Sequence, residues 1–146
     1  RFEAYVDNRA GSFGYIEACS TPLAKIRQDY PSDTMIFADV HTAETYVVPN
    51  VAINELAGNA KGHDADAVIV TENDLNTNIT PADVKSMREE MGDFPIIVGA
   101  GVKPNNVLDY MEYCDAVIVG RGFKTGDRVD AKLVKEFMEI VHSKFN

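Results

Sequence analysis

The chain contains no tryptophan and only two cysteines in 146 residues. Cys19 and Cys114 stand far apart and neither has a partner at metal-ligand spacing. A disulfide framework and a cysteine-based metal site are therefore excluded, and a reducing, cytoplasmic setting is expected. Positive charge is also short. Fourteen Lys and Arg face 23 Asp and Glu, for a net charge of −9 and a pI near 4.7. No basic stripe is present, which argues against a nucleic-acid or anionic-membrane partner. No apolar run approaches membrane-spanning length, and no signal-peptide pattern opens the chain. The first residue is Arg1 instead of methionine. The expectation is a chain processed, trimmed or cut from something longer.

What is present fits one α/β domain. Hydrophobic residues make up 45% and charged residues 25%, the mixture of a packed, water-soluble core. The organising stretch is 94–124. Twice within it, a β-branched run ends in Gly-x-Gly and a helical segment follows. Gly99-Ala100-Gly101 follows Ile96-Ile97-Val98, and Gly120-Arg121-Gly122 follows Val117-Ile118-Val119. Wholly apolar strands suit a parallel sheet. Glycine after such a strand lets backbone N–H groups approach a ligand. Two such bends side by side would offer several donors to one anion. That is the layout of a phosphate site after the last strands of a (β/α)8 barrel.

In order, residues 2–6 read as a frayed strand and 7–14 as a loop rich in Gly, Asn and Asp. Ser20-Thr21-Pro22 reads as a capped helix start, with Leu23, Ile26 and Arg27 facing inward and Pro31 stopping the helix. Residues 34–40 read as a strand, 51–61 as a helix, and 66–70 as a strand. Thr80-Pro81-Ala82-Asp83 is a capping pattern before a helix with Val84, Met87 and Met91 inward and Lys85, Arg88, Glu89 and Glu90 outward. Residues 95–98 and 115–119 read as strands. Val107, Leu108 and Met111 should face inward from a short helix between them. Asp130 caps a last helix, with Leu133, Val134, Phe137, Met138 and Val141 toward the sheet. Asp-Ala-Val-Ile-Val occurs at 66–70 and again at 115–119, with one strand between the copies.

Asp39-Val40-His41 ends the strand at 34–40, and simple alternation places Asp39 and His41 on one face. At a barrel mouth such a pair can do acid–base work; a capping Asp39 and a solvated His41 are the alternatives. Lys124 is a further acid–base candidate, with a solvated lysine as its alternative. Glu72 and Asp74 lie in a polar loop where a ligand would approach. Four strand–helix units amount to about half of a barrel of roughly 250 residues. The missing strands would come from an absent N-terminal half or a partner chain, unless the fold is a small open sheet; self-association stays open.

The runs Ile-Phe-Ala-Asp-Val-His (36–41), Ala-Asp-Ala-Val-Ile-Val-Thr (65–71), Val-Gly-Ala-Gly-Val-Lys-Pro-Asn-Asn-Val (98–107) and Asp-Ala-Val-Ile-Val-Gly-Arg-Gly-Phe-Lys (115–124) resemble the BtpA family. The resemblance begins near Val6 and Asp7 and keeps its order to the end. It implies an α/β fold, the C-terminal half of a (β/α)8 TIM barrel of the ribulose-phosphate-binding type, as one partial domain over 1–146. It also implies a small phosphorylated sugar or nucleoside-like ligand, with the photosystem I biogenesis protein and SgcQ-like nucleosidase or sugar-metabolism proteins as family members. The phosphate would lie on Gly99, Ala100, Gly101, Gly120, Arg121 and Gly122, and Asp39, His41 and Lys124 would supply acid–base chemistry. No metal site is expected, and the cofactor is left open. A non-catalytic assembly factor and an inactive fragment are the alternatives. The chain departs from the family's usual pattern at Thr42-Ala43-Glu44, where a lysine and a histidine are absent. It also departs at the glycine-poor Glu72-Asn73-Asp74-Leu75, at Ala100 in place of serine, and at Arg121 in place of a small residue.

Overall fold

A computed structural model describes residues 1–42, 45–72 and 77–145. Asp74, and Ala43 and Glu44 of the departing stretch, lie outside the described residues.

The chain runs β1 (Asn8–Gly11), β2 (Gly14–Ile16), α1 (Ser20–Asp29), β3 (Phe37–His41), β4 (Thr45–Val48), α2 (Ile53–Gly62), β5 (Ala67–Val70), α3 (Pro81–Met91), β6 (Ile96–Val98), α4 (Val107–Tyr110), β7 (Ala116–Val117), β8 (Lys124–Thr125), β9 (Arg128–Val129) and α5 (Ala131–Ser143). The main sheet has the order β3-β5-β6-β7 and is parallel throughout. Phe2 extends it past β3 through a parallel bridge to Ala38.

Helices cover one face of this sheet. Ala38, Val40, Val68, Val70, Ile96 and Val98 point into a core shared with Leu56, Met87, Val107 and Phe137 from the helices. The alternate residues Phe37, Ala67, Ile69 and Ile97 form a separate cluster made of strand residues alone. The fold is therefore α/β, with the main-sheet strands in sequential order and the helices on one side.

Residues expected as loop form the second sheet. β1 pairs antiparallel with both β2 and β4. Its centre, Arg9, is completely buried, and that burial holds in strand form a stretch whose composition reads as a turn. β3 starts three residues later than expected, and Ile36 instead donates its N–H to the Asp66 carboxylate at 2.6 Å. Ile26 is 54% exposed, Leu108 and Met138 are exposed, and β7 holds only two ordered ladder residues. Ser20 is the first residue of α1 and makes no cap bond. The capping box of Thr80 and Asp83 forms as read, and Val84, Met87 and Met91 are buried. Arg88, expected in water, lies half-buried on the carbonyls of Gly92, Phe94 and Tyr113.

The repeated Asp-Ala-Val-Ile-Val has a shared structural role. Asp66 caps the N–H of Ile36 and receives Arg27 from α1, which also donates to Asp64 O. Asp115 caps the N–H of Ile96 and receives Arg88 from α3, which also donates to Tyr113 O. In both, an arginine from a helix locks the aspartate that starts the next main-sheet strand but one.

Candidate functional site

The C-terminal ends of the parallel strands carry the polar groups. Asp39 pairs in register with Ile69 and so shares the helix-free face. It is 2% exposed. Arg1 clamps it through two bonds, Nε to Oδ2 at 2.6 Å and Nη2 to Oδ1 at 2.9 Å. Burial holds the Asp39 carboxyl above its ordinary range, and the Arg1 hydrogen bond and charge pull the other way.

The register shifts between Asp39 and His41, so that His41 stands opposite Val70. Simple alternation past Asp39 is therefore interrupted. His41 is 6% exposed, and its Nε2 is buried without a hydrogen-bond partner.

Next to this pair lies a network that sequence reasoning missed. Arg9 donates from Nε to Asp7 Oδ2 at 2.7 Å and from Nη2 to the Asp39 carbonyl at 2.8 Å. Glu3 accepts from the hydroxyls of Thr42 and Thr45 at 3.0 Å each. Burial raises the Asp7 carboxyl, against the pull of Arg9. The available signal was four charged residues, Arg1, Glu3, Asp7 and Arg9, inside one stretch that also holds the buried Ala4 and Tyr5. A chain that sends charge inward there must pair it.

The two glycine bends are adjacent. A Cβ added at Gly122 would lie 3.8 Å from the Val102 carbonyl oxygen, at the end of the first bend. Gly101 has φ +77°, in the left-handed region that glycine adopts without strain. Asn106 ties this bend to α4, with Nδ2 donating to Gly101 O at 3.1 Å and Oδ1 accepting from Lys103 N at 2.7 Å. Gly120 precedes a 3₁₀ turn at Arg121–Phe123.

Gly99 has a different task from the one expected. Its N–H donates to Val70 O at 2.7 Å, inside the sheet ladder. A Cβ there would stand 2.6 Å from Thr71 Oγ1 and 2.9 Å from Ile69 Cγ2. Gly99 is bare to let β5 approach. Among the described residues, the N–H groups of Ala100, Gly101, Gly120, Arg121 and Gly122 have no protein acceptor. Ala100 and Gly101 are half-buried and Gly120 to Gly122 are exposed.

Arg121 makes no ion pair among the described residues. Lys124 is exposed in the β8–β9 hairpin, which follows β7. β3 and β7 stand at opposite ends of the sheet. Three strand spacings, about 14 Å, separate them along a flat sheet. Asp39 and His41 thus lie at the end of one strand but in register with residues of opposite faces, Ile69 and the core-facing Val70, and Lys124 belongs to the far edge. No cluster of three or more metal-ligating side chains occurs among the described residues.

The BtpA family profile matches residues 1–143. The chain belongs to the BtpA family. Curated relatives include an uncharacterized protein of Pyrococcus horikoshii, 31% identical over 86% of this chain and 52% of its own length. Another is an uncharacterized Caenorhabditis elegans protein described as mitochondrial, 29% identical over 98% of this chain and 53% of its own length. The chain spans about half the length of the curated relatives it matches. A solved structure described as "Native KDPGal structure" superposes with a TM-score of 0.51 at 17% identity, covering 75% of this chain and 50% of that one. At that identity the likeness concerns the fold alone. In this BtpA-family chain the two glycine bends follow β6 and the strand run ending at Val119, beside β7 of the parallel sheet. No helix of the described residues is long and apolar enough to cross a membrane.

Proposed function

We propose that this chain is the C-terminal half of a (β/α)8 barrel of the ribulose-phosphate-binding type, and that the whole protein binds a small phosphorylated sugar or nucleoside-like ligand at its C-terminal mouth. Strand order supports the barrel. Every strand of the main sheet lies beside the one that precedes it in that sheet, and the helices keep to one face, whereas an open doubly wound sheet reverses order and carries helices on both. An N-terminal half-barrel or partner chain supplies the remaining strands, and a cytoplasmic setting goes with this reading.

The observation that carries the ligand reading is the adjacency of the two bends, with Gly122 against Val102 O. Their uncommitted N–H groups at Ala100, Gly101, Gly120, Arg121 and Gly122 supply the phosphate donors, and the Arg121 guanidinium adds a charge-assisted bond. Gly99 contributes shape and not a donor. Asp39, with its raised carboxyl, is the acid–base group, and His41 is the second. Lys124 takes part only through movement of the β8–β9 hairpin.

Titration of the ¹⁵N-labelled full-length protein with inorganic phosphate and ribose 5-phosphate tests this. Amide shifts should concentrate at 100–102 and 120–123. Shifts scattered elsewhere, or none, refute the phosphate site.

One observation favours the non-catalytic reading, an assembly factor of the photosystem I type. Arg1 already holds both oxygens of Asp39. If Asp39→Asn leaves the biological phenotype of the full-length protein unchanged, the assembly reading stands and acid–base catalysis falls.

A further inference from the structure

Asn78, at the end of the connection from β5 to α3, lies against the first glycine bend. A Cβ built at Gly101 would stand 3.8 Å from Asn78 Cβ and 3.8 Å from the Tyr110 hydroxyl. One residue along, Val102 O meets Gly122 of the second bend. The segments that follow β5, β6 and β7 thus come together at this point.

The backbone of Asn78 is fixed, although its side chain is exposed. It bridges antiparallel to Glu72. Its neighbour Ile79 is buried and has both backbone polar groups engaged. The Ile79 N–H donates to Thr71 O at 3.2 Å, and its carbonyl accepts from the Tyr110 hydroxyl at 2.7 Å. Tyr110 stands four residues past Asn106, which holds Gly101 O and Lys103 N. Positions four apart lie on one helix face. The short α4 therefore keeps the bend and the base of the β5–α3 connection in one frame. The Asn78 amide itself has no protein partner among the described residues.

We propose that the Asn78 side chain is a further phosphate-binding group, donating from Nδ2 to the phosphate that the Gly101 N–H holds. The amide carries two N–H donors, and a bond to an anionic oxygen is charge-assisted. A short side chain on a fixed backbone has little freedom to lose on binding. The inference rests on the phosphate reading of the glycine bends. It adds to those backbone donors a side chain that substitution can alter without touching the core.

The test measures the affinities of the full-length protein for inorganic phosphate and for ribose 5-phosphate. Asn78→Ala removes the donors and should weaken both ligands about tenfold, the worth of one hydrogen bond. Asn78→Asp keeps the shape but sets a carboxylate against the phosphate. It should weaken both ligands further, most of all at low salt. Asn54→Asp places the same charge on α2 and should leave both affinities unchanged. Thermal midpoints of the two Asn78 variants should match wild type, because the amide makes no protein contact to lose. An Asn78→Ala variant that binds as wild type does overturns the inference and leaves the phosphate site standing. So does an Asn78→Asp variant no weaker than Asn78→Ala, or a loss confined to ribose 5-phosphate, which would assign the amide to the sugar. A fall in thermal midpoint with Asn78→Ala makes its role structural and overturns the inference as well. A wild-type protein that binds neither ligand overturns the phosphate site and this inference together.

Discussion

Replacing Arg9 by methionine should unfold a large part of this domain's stability. Arg9 is 0% exposed and Asp7 is 7% exposed. Their contact, Nε to Oδ2 at 2.7 Å, is the short bond of the network, and Nη2 to the Asp39 carbonyl at 2.8 Å is the second. The contacts to the Thr42 and Thr45 hydroxyls, at 3.4 Å, are long and contribute little. Methionine fills most of the same volume, so the cavity term is small. The main loss is electrostatic: the Asp7 carboxylate stays buried with no cation beside it, and the Asp39 carbonyl loses a donor. Breaking a buried pair from one side costs about 3–5 kcal/mol, against a total of about 5–15 kcal/mol for a typical domain. Urea denaturation at neutral pH reads the difference directly. The double variant Arg9→Met/Asp7→Asn removes the stranded charge and should recover part of the loss. In the single variant, Asp7 escapes by taking up a proton, so the deficit should shrink at acid pH. A single-variant loss below about 1 kcal/mol, or a double variant no better than the single, would refute the role given to this pair.

Two further outcomes follow from the same geometry. Gly99→Ala forces a methyl to within 2.6 Å of Thr71 Oγ1 and 2.9 Å of Ile69 Cγ2, and should cost about 1–3 kcal/mol. In a Thr71→Ala background the added cost should be smaller, and simple additivity in a denaturation cycle would count against the contact. Asp7 and Asp39 both carry carboxyls raised above the ordinary 3.8, chiefly by burial. The folded chain then binds their protons more tightly than the unfolded chain, so stability falls as pH rises from 3.8 through the raised values and levels off above them. Denaturation midpoints across that range should show the fall, and Asp39→Asn should flatten it; a wild-type midpoint rising through the same window would contradict the burial argument.

Much of the layering was legible in the order of residues. Apolar β-branched runs at 67–70 and 96–98, the Thr80–Asp83 capping box and the 84/87/91 stripe each follow from local periodicity and cap chemistry, and each is found where the pattern put it. The BtpA-family motifs were equally readable, because glycine after a strand is a local requirement. The repeat of Asp-Ala-Val-Ile-Val was visible too, although its cause was not. That cause is the aspartate, capped onto a neighbouring strand and held by Arg27 or Arg88.

Position within the site was decided by tertiary structure. Sequence alone determined that Asp39 and His41 end a strand and that two glycine bends follow later strands. Beyond the cluster of charges at 1–9, it did not specify that Arg1 would clamp Asp39, that Arg9 would be drawn into a buried strand, or that a register shift would interrupt the alternation before His41. Those depend on partners 30 or more residues away, such as the Arg9 to Asp39 contact. The same holds for Gly99: locally it reads as a hinge with a free N–H. In the folded chain its N–H belongs to Val70 and its missing side chain makes room for Thr71. Local sequence sets what a backbone segment can do, and packing against distant segments sets which of its groups remain free to bind.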